Sequence, residues 1–211
     1  ISSSISYSET HQNINSSDIK NYLDIWYEQN IKNTNYEKYL VDNLFCSDRE
    51  ISEFASLTPG GTTFWTNEGY GNYQTLYRWG WGPWEDGNVL KIRLACSNKN
   101  DSFTVNNLTY GNWLLKYPIA LINTDEVVLA GGWNSANENY YLYTGNYYWT
   151  MTPGHYAENT SHVHIVFNNG FINNNIGDTN ILRGVKPVIN VNASILQQGT
   201  GISTDPYRLE D

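Results

Sequence analysis

Basic residues are scarce in this chain: 12 Lys and Arg stand against 21 Asp and Glu, for a net charge of −9. No Lys/Arg cluster breaks that balance, so nucleic acid and anionic membrane surfaces are poor partners. Long apolar runs are missing too. No stretch of 18 apolar residues occurs, so nothing spans a membrane and no membrane insertion is expected of this fragment. An initiating Met and a signal peptide are both absent, and Ile1 reads as a cut site in a longer precursor. Cysteine is limited to Cys46 and Cys96, with no Cys-x-x-Cys pattern and no Cys–His set at metal-ligand spacing. The pair fits one disulfide, which would close a loop of about 51 residues and stabilise by roughly 4 kcal/mol on the chain-entropy view. Two unrelated buried thiols are the alternative, and an export context favours pairing. Nucleophile elbows of the Gly-x-Ser-x-Gly type and phosphate loops are also lacking, so no enzyme is expected.

What the chain does have is aromatic surface. Tyr (17) and Trp (8) dominate a 15% aromatic content, while Met occurs once. Such side chains join wide contact area to a polar tip, a composition favoured at binding surfaces. The competing use is cross-strand pairing inside a β-rich core. Apolar residues reach 40%, enough for a packed domain, and charged residues only 16%, with abundant Asn, Ser, Thr and Gly. That neutral-polar balance is common on secreted and bacterial surface proteins.

Residues 1–15 are Ser-rich and aperiodic and read as a loose leader, with a single domain over 16–211. Ser16 or Ser17 caps a predicted helix in which Ile19, Tyr22, Leu23, Trp26 and Tyr27 share one face. A second helix is expected over 35–44, with Tyr36, Leu40 and Leu44 on one stripe. Residues 58–88 are irregular and aromatic, and 89–95 read as a strand with Leu90, Ile92 and Leu94 facing in. The run 117–122 is strand-like. Asn123 or Thr124 then caps a short helix with Asp125 and Glu126 in its first turn, stopped at Gly131-Gly132. Residues 140–143 read as another strand, and the turn-rich tail 199–207 is expected to fold back on the domain. The organising stretch is 147–191. Tyr147-Tyr148-Trp149-Thr150-Met151-Thr152 is a strand stopped by Pro153-Gly154, 162–167 alternates in period two up to an Asn169-Gly170 turn, and 184–191 closes an antiparallel set.

These motifs, taken in order, are Phe45-Cys46-x-Asp48-Arg49, Tyr117-Pro118-x-x-Leu121-Ile122-x-x-Asp125-Glu126-Val127, Ala130-Gly131-Gly132, Tyr141-Leu142-Tyr143, Trp149-Thr150-x-Thr152-Pro153 and Gly184-Val185-Lys186-Pro187-Val188-Ile189-Asn190. Together they resemble a family of uncharacterised domains in surface and secreted proteins of Firmicutes, some behind pilin-like export signals. The resemblance covers about residues 16 to 208. Lys186 stands where that family more often has Arg, keeping the charge but not the planar fork. Leu121-x-x-Thr124 with its acidic helix, and Gly184-Val185-Lys186, are similar to the sulfatase-modifying-factor branch of the C-type-lectin fold. Asn123 here replaces that branch's proline, and the helix acids sit one place early. The resemblance implies an α+β, C-type-lectin-like fold: two helices on a small twisted antiparallel sheet with long irregular loops.

Candidate sites follow. His162-x-His164, with His155 upstream, could chelate from one strand face, but no carboxylate stands at partner spacing, so a solvated strand face is the better reading. Asn134, Asn137, Glu138, Asn139 and Asp178 could donate oxygens to calcium, yet the Glu-Pro-Asn triplet of calcium-dependent lectins is missing. No metal and no cofactor is expected. Relatives that make formylglycine use paired active-site cysteines, and a Cys46–Cys96 bridge leaves no thiol for that. Glu85, Asp86 and Glu138 show no spacing that marks a glycosidase pair. Binding is assigned to Trp79, Trp81, Trp133, Asn137, Glu138, His155 and Tyr156, whose flat faces and amide or carboxylate neighbours suit a glycan or a host or bacterial surface protein. Packing of these tryptophans in an irregular core is the competing account. The expected function is a non-catalytic extracellular or cell-surface recognition module. The alternative is a structural subunit of a pilus or surface assembly, with self-association.

Overall fold

A computed structural model describes residues 16–50, 92–133, 135–157, 160–173, 181–196, 198–202 and 204–208, with the side chains of 155–157, 160 and 161 outside that description. The leader 1–15, the aromatic segment 58–88 and residues 89–91 lie outside the described residues.

Helix α1 (Asp18–Asn30) starts where Ser17 accepts the backbone N–H of Lys20 at 3.1 Å. Leu23 and Tyr27 are buried, with Ile19 packed beside them. Tyr22 and Trp26, expected on the same face, lie on its flank and stay exposed. The contact stripe is one i, i+4 row wide, narrower than the pattern of five apolar residues suggested.

The predicted second helix does not form. Residues 35–44 contain one 3-10 turn, Glu37–Tyr39, and then extend. The chain here is claimed by a distant strand: Val41 N–H donates to Asn190 O and Asn192 N–H to Tyr39 O. Strand β1 (Phe45–Cys46) pairs antiparallel with β2 (Ser102–Phe103), and Cys46 is bonded to Cys96 with Cα atoms 5.4 Å apart. Arg49 clamps buried Asp101 through its backbone N–H (3.1 Å) and Nε (2.7 Å), while Asp48 accepts Glu50 N–H and Ser97 Oγ. Residues 92–95 are not in a strand. Arg93 N–H instead donates to Asp125, and Leu94 is exposed.

Strand β3 (Ile119–Leu121) leads into α2 (Thr124–Leu129) through a capping box: Asn123 Oδ1 accepts Glu126 N–H and Glu126 Oε2 accepts Asn123 N–H, both at 2.8 Å. Gly131 ends it at φ 105°. The segment 140–143 turns rather than extends, with Tyr143 N–H bonded to Tyr140 O. Tyr140 is buried in the core and Tyr143 packs beside it, while Tyr141 is exposed.

Strand β4 (Tyr148–Ala157) runs through Pro153-Gly154 instead of stopping there, because register shifts on either side of Pro153 absorb the residue that cannot donate. It pairs antiparallel with β5 (Thr160–Val166), which turns at Gly170 (φ 79°) into β6 (Ile172–Asn173). Strand β7 (Gly184–Val185) joins β4 in parallel, not antiparallel, giving the sheet order β6-β5-β4-β7. Tyr148 and Trp149, near the start of 147–191, thus lie beside Gly184 and Val185 from its last part. One residue further, β8 (Pro187–Ile189) leaves that sheet to pair antiparallel with β3. The tail closes on itself, with Arg208 N–H donating to Gln198 O.

Among the described residues the architecture is therefore α+β, two α-helices with small, mainly antiparallel sheets. Leu23 and Tyr27 of α1 pack with Ile119, Leu121, Trp149 and Ile165, and α2 packs Val127 and Val128 with Tyr148, Val166 and Ile172. A third group, Phe45, Leu115 and Ala120, is joined to the others by Met151 and Val188.

Candidate functional site: an apolar loop held by Asp42

Residues 105–115 alternate turn formers with large apolar side chains in neither a helix nor a strand period. Leu108, Tyr110, Trp113 and Leu114 are 56%, 57%, 56% and 50% exposed. Four such side chains stand exposed within residues 108–114, a local concentration of apolar surface.

The frame under them is built from polar groups turned inward. Asp42, just past the 3-10 turn, accepts the N–H groups of Val105, Asn106 and Asn107 at 2.7, 2.6 and 2.8 Å. Asn107 Oδ1 accepts Thr109 and Tyr110 N–H, and Asn107 O accepts Gly111 N–H. Asn112 donates to Asn100 O and accepts Leu114 N–H, while its own N–H reaches Ser102 O. Thr104 closes the base: its Oγ1 accepts Trp113 N–H and its carbonyl accepts Leu115 N–H. Every backbone N–H from Val105 to Leu115 is thus bonded within the protein, Leu108 apart.

Two backbone features fix the shape. A Cβ on Gly111 would come within 2.1 Å of Thr104 Oγ1, so only glycine passes there. Trp113 sits at φ 51°, uncommon for any residue but Gly and costly for a bulky one. The loop holds that conformation and with it the outward direction of the indole.

Trp133, Asn137 and Glu138 fall together on the loop 133–139, away from this patch in sequence. Trp133 is half-buried against the α2 cluster and its carbonyl accepts Ile172 N–H. Asn137 spends its amide on Gly131 O and its Oδ1 on Asn139 N–H, and its own N–H bonds Asn169 O. Glu138 is exposed. The backbone of His155 and Tyr156 lies toward the other end of β4, opposite the first residues of β5. Phe171, the bridge partner of Trp133, adjoins the Tyr148 end. The span of β4 from Tyr148 to Tyr156 is roughly 26 Å at the usual rise per residue. Trp79 and Trp81 lie outside the described residues. His164 is buried, its Nδ1 3.4 Å from Thr152 O, rather than on a solvated face. Among the described residues no group of three or more His, Cys, Asp or Glu could hold a metal ion.

A shallow hollow of about 770 Å³ opens beside the disulfide, between Leu44, Leu94, Asn123, Glu126, Leu129 and Asn190. Burial there pushes the Glu126 carboxyl above its ordinary range, against the opposing pull of the Asn123 N–H it accepts.

The loop 105–115 escaped the sequence reading because its support is remote: Asp42 lies far upstream and carries no motif. The available signal was the aperiodic run Leu108, Tyr110, Trp113, Leu114 between Asn and Gly turn formers. Neither a family model, nor a curated protein, nor a solved structure matches the chain.

Proposed function

We propose that this protein is a non-catalytic recognition module of a secreted or bacterial surface protein, C-type-lectin-like in architecture, whose contact element is the loop 105–115. One observation carries the reading: four large apolar side chains stand half exposed on a loop whose backbone donors, Leu108 apart, are already bonded. A core loop would bury those side chains, and a turn serving only connection would not need them. The Cys46–Cys96 bridge supports an oxidising, extracellular setting, and the family resemblance points the same way.

The shape also narrows the ligand. A sugar site joins an aromatic face to free directional hydrogen-bonding groups. Here the Asn107 and Asn112 side chains are turned into the loop. The patch supports docking on an extended apolar surface of a partner over enclosure of a small sugar. The test is binding of the labelled protein to intact bacterial and host cells, with W113S/L114S compared at equal urea stability. At least a tenfold loss is expected, because exposed aromatic anchors dominate such contacts. Unchanged binding would remove the loop from the function.

A structural role is favoured by one separate feature. Tyr22, Ile25 and Trp26 form an exposed i, i+3, i+4 row on the outer side of α1. Sedimentation at rising concentration decides it: growth of oligomers that Y22S/W26S abolishes would favour an assembly subunit.

A further inference from the structure

We infer that the loop 105–115 seats at the headgroup–acyl boundary of a lipid surface, which makes this a peripheral lipid-contacting loop. The inference rests on the reading above that the loop is the contact element, and it names what the loop contacts.

Leaving water is costly for a peptide group unless its hydrogen bond is kept. A protein partner can supply those bonds across an interface, whereas hydrocarbon supplies none, so a segment entering lipid must satisfy its backbone internally. Irregular loops rarely meet that condition. This one does for its donors: Asp42, Thr104, Asn107, Asn112 and Ser102 O receive the N–H groups from Val105 to Leu115, with Leu108 the exception. Among the described residues the Asn107 and Leu108 carbonyls are bonded as well, and the loop's other carbonyls call for the hydrated headgroup side of the boundary rather than hydrocarbon.

Side-chain identity agrees. Trp and Tyr favour the membrane–water interface, and Leu the acyl side of it. In a chain with 21 acids, no Asp or Glu occurs from Ser102 to Lys116. The nearest, Asp101, is buried and clamped by Arg49, and Asp42 is consumed by three N–H groups. Lys99 and Lys116, rather than acids, flank the tract.

Charge is not the driving force. The chain carries −9 overall, Lys116 is paired with Glu28, and Lys99 is held by Leu108 O. Attraction therefore comes from apolar burial, and a neutral bilayer suffices. No described helix is long and apolar enough to cross the bilayer, and the expectation of no insertion gives way here only to a shallow seat for one loop.

The experiment uses phosphatidylcholine vesicles. The protein is expected to co-sediment with them equally at low and high salt, and added phosphatidylglycerol is not expected to tighten binding. Brominated lipid should quench part of the tryptophan emission, and W113F should lose that part. L108S/L114S should weaken partition by an order of magnitude or more, from about fivefold for each half-buried leucine. T109W, at an exposed position of the same loop, should strengthen it severalfold with an unchanged urea midpoint, which separates the gain from surface exposed by misfolding. No sedimentation of the wild type, or sedimentation indifferent to these variants, overturns the inference. The cell-binding assay run on the same variants separates the two proposals. Loop-dependent cell binding without vesicle binding would point to a protein partner and leave the recognition reading intact, whereas loop-independent binding in both would end both.

Discussion

Asp42 is one carboxylate with three short backbone donors, the arrangement that makes hydrogen bonds to charged groups stronger than neutral ones. Its removal leaves those donors to water at a half-exposed site, so D42A is expected to cost about 1–2 kcal/mol in urea unfolding. The same variant should release the geometry that turns Trp113 outward; loss of stability without loss of loop-dependent binding would break that link. Glu126 allows a pH test. Its folded carboxyl lies above the unfolded value of about 4.3. An acid whose pKa rises on folding contributes stability that is full below the unfolded pKa and fades as pH climbs through the folded one. E126Q keeps the cap and removes the titration, so its urea midpoint should lose less than that of the wild type between pH 4 and 7. Parallel pH profiles would show that the carboxyl is not perturbed.

At the scale of elements, what was legible in the sequence was local. Ser16 or Ser17 and Asn123 or Thr124 mark helix starts, which the structure places at Ser17 and Asn123, Gly131 marks a helix end and Asn169-Gly170 a hairpin turn, because each is settled by nearby bonds. What misled was decided elsewhere in the chain. The 35–44 pattern fits a helix until Asn190 takes its N–H, and Pro153 reads as a stop until β5 pairs across a bulge. Gly170 shows how a local signal can hide a distant purpose. A Cβ there would come within 1.7 Å of Asn137 O, and its φ is 79°. G170A is therefore expected to destabilise by well over 1 kcal/mol and to free the 133–139 loop. An accelerated amide exchange at Asn137 checks this, since its N–H bonds Asn169 O; unchanged exchange would mean the loop is held by other contacts.

For the whole molecule, the cysteine pairing was readable from residue types and the mixture of helices and strands from local patterns, while the candidate surface was not. Tyr and Trp content announces contact area without saying which rings face water; Trp149 is buried and Trp113 is not. The bridge between Cys46 and Cys96 encloses the aromatic segment, and C46S/C96S should lower stability by roughly 4 kcal/mol, read as a shifted urea midpoint that matches the wild type under reductant. A residual difference between the two would assign part of the effect to packing by sulfur. The path of the final strands has a further consequence. From Gly184 to Asn192 the chain bonds in turn to Tyr147, to β3 and to Tyr39 and Val41, so one late segment completes three earlier ones. During synthesis at ~5–20 residues per second, residue 39 therefore waits roughly 8–30 s for its partner to appear. Over that interval the half-made sheets stand open to one another and to neighbouring chains. The nascent protein is one that a holding chaperone, or a translocon delivering it unfolded, would keep from pairing too soon.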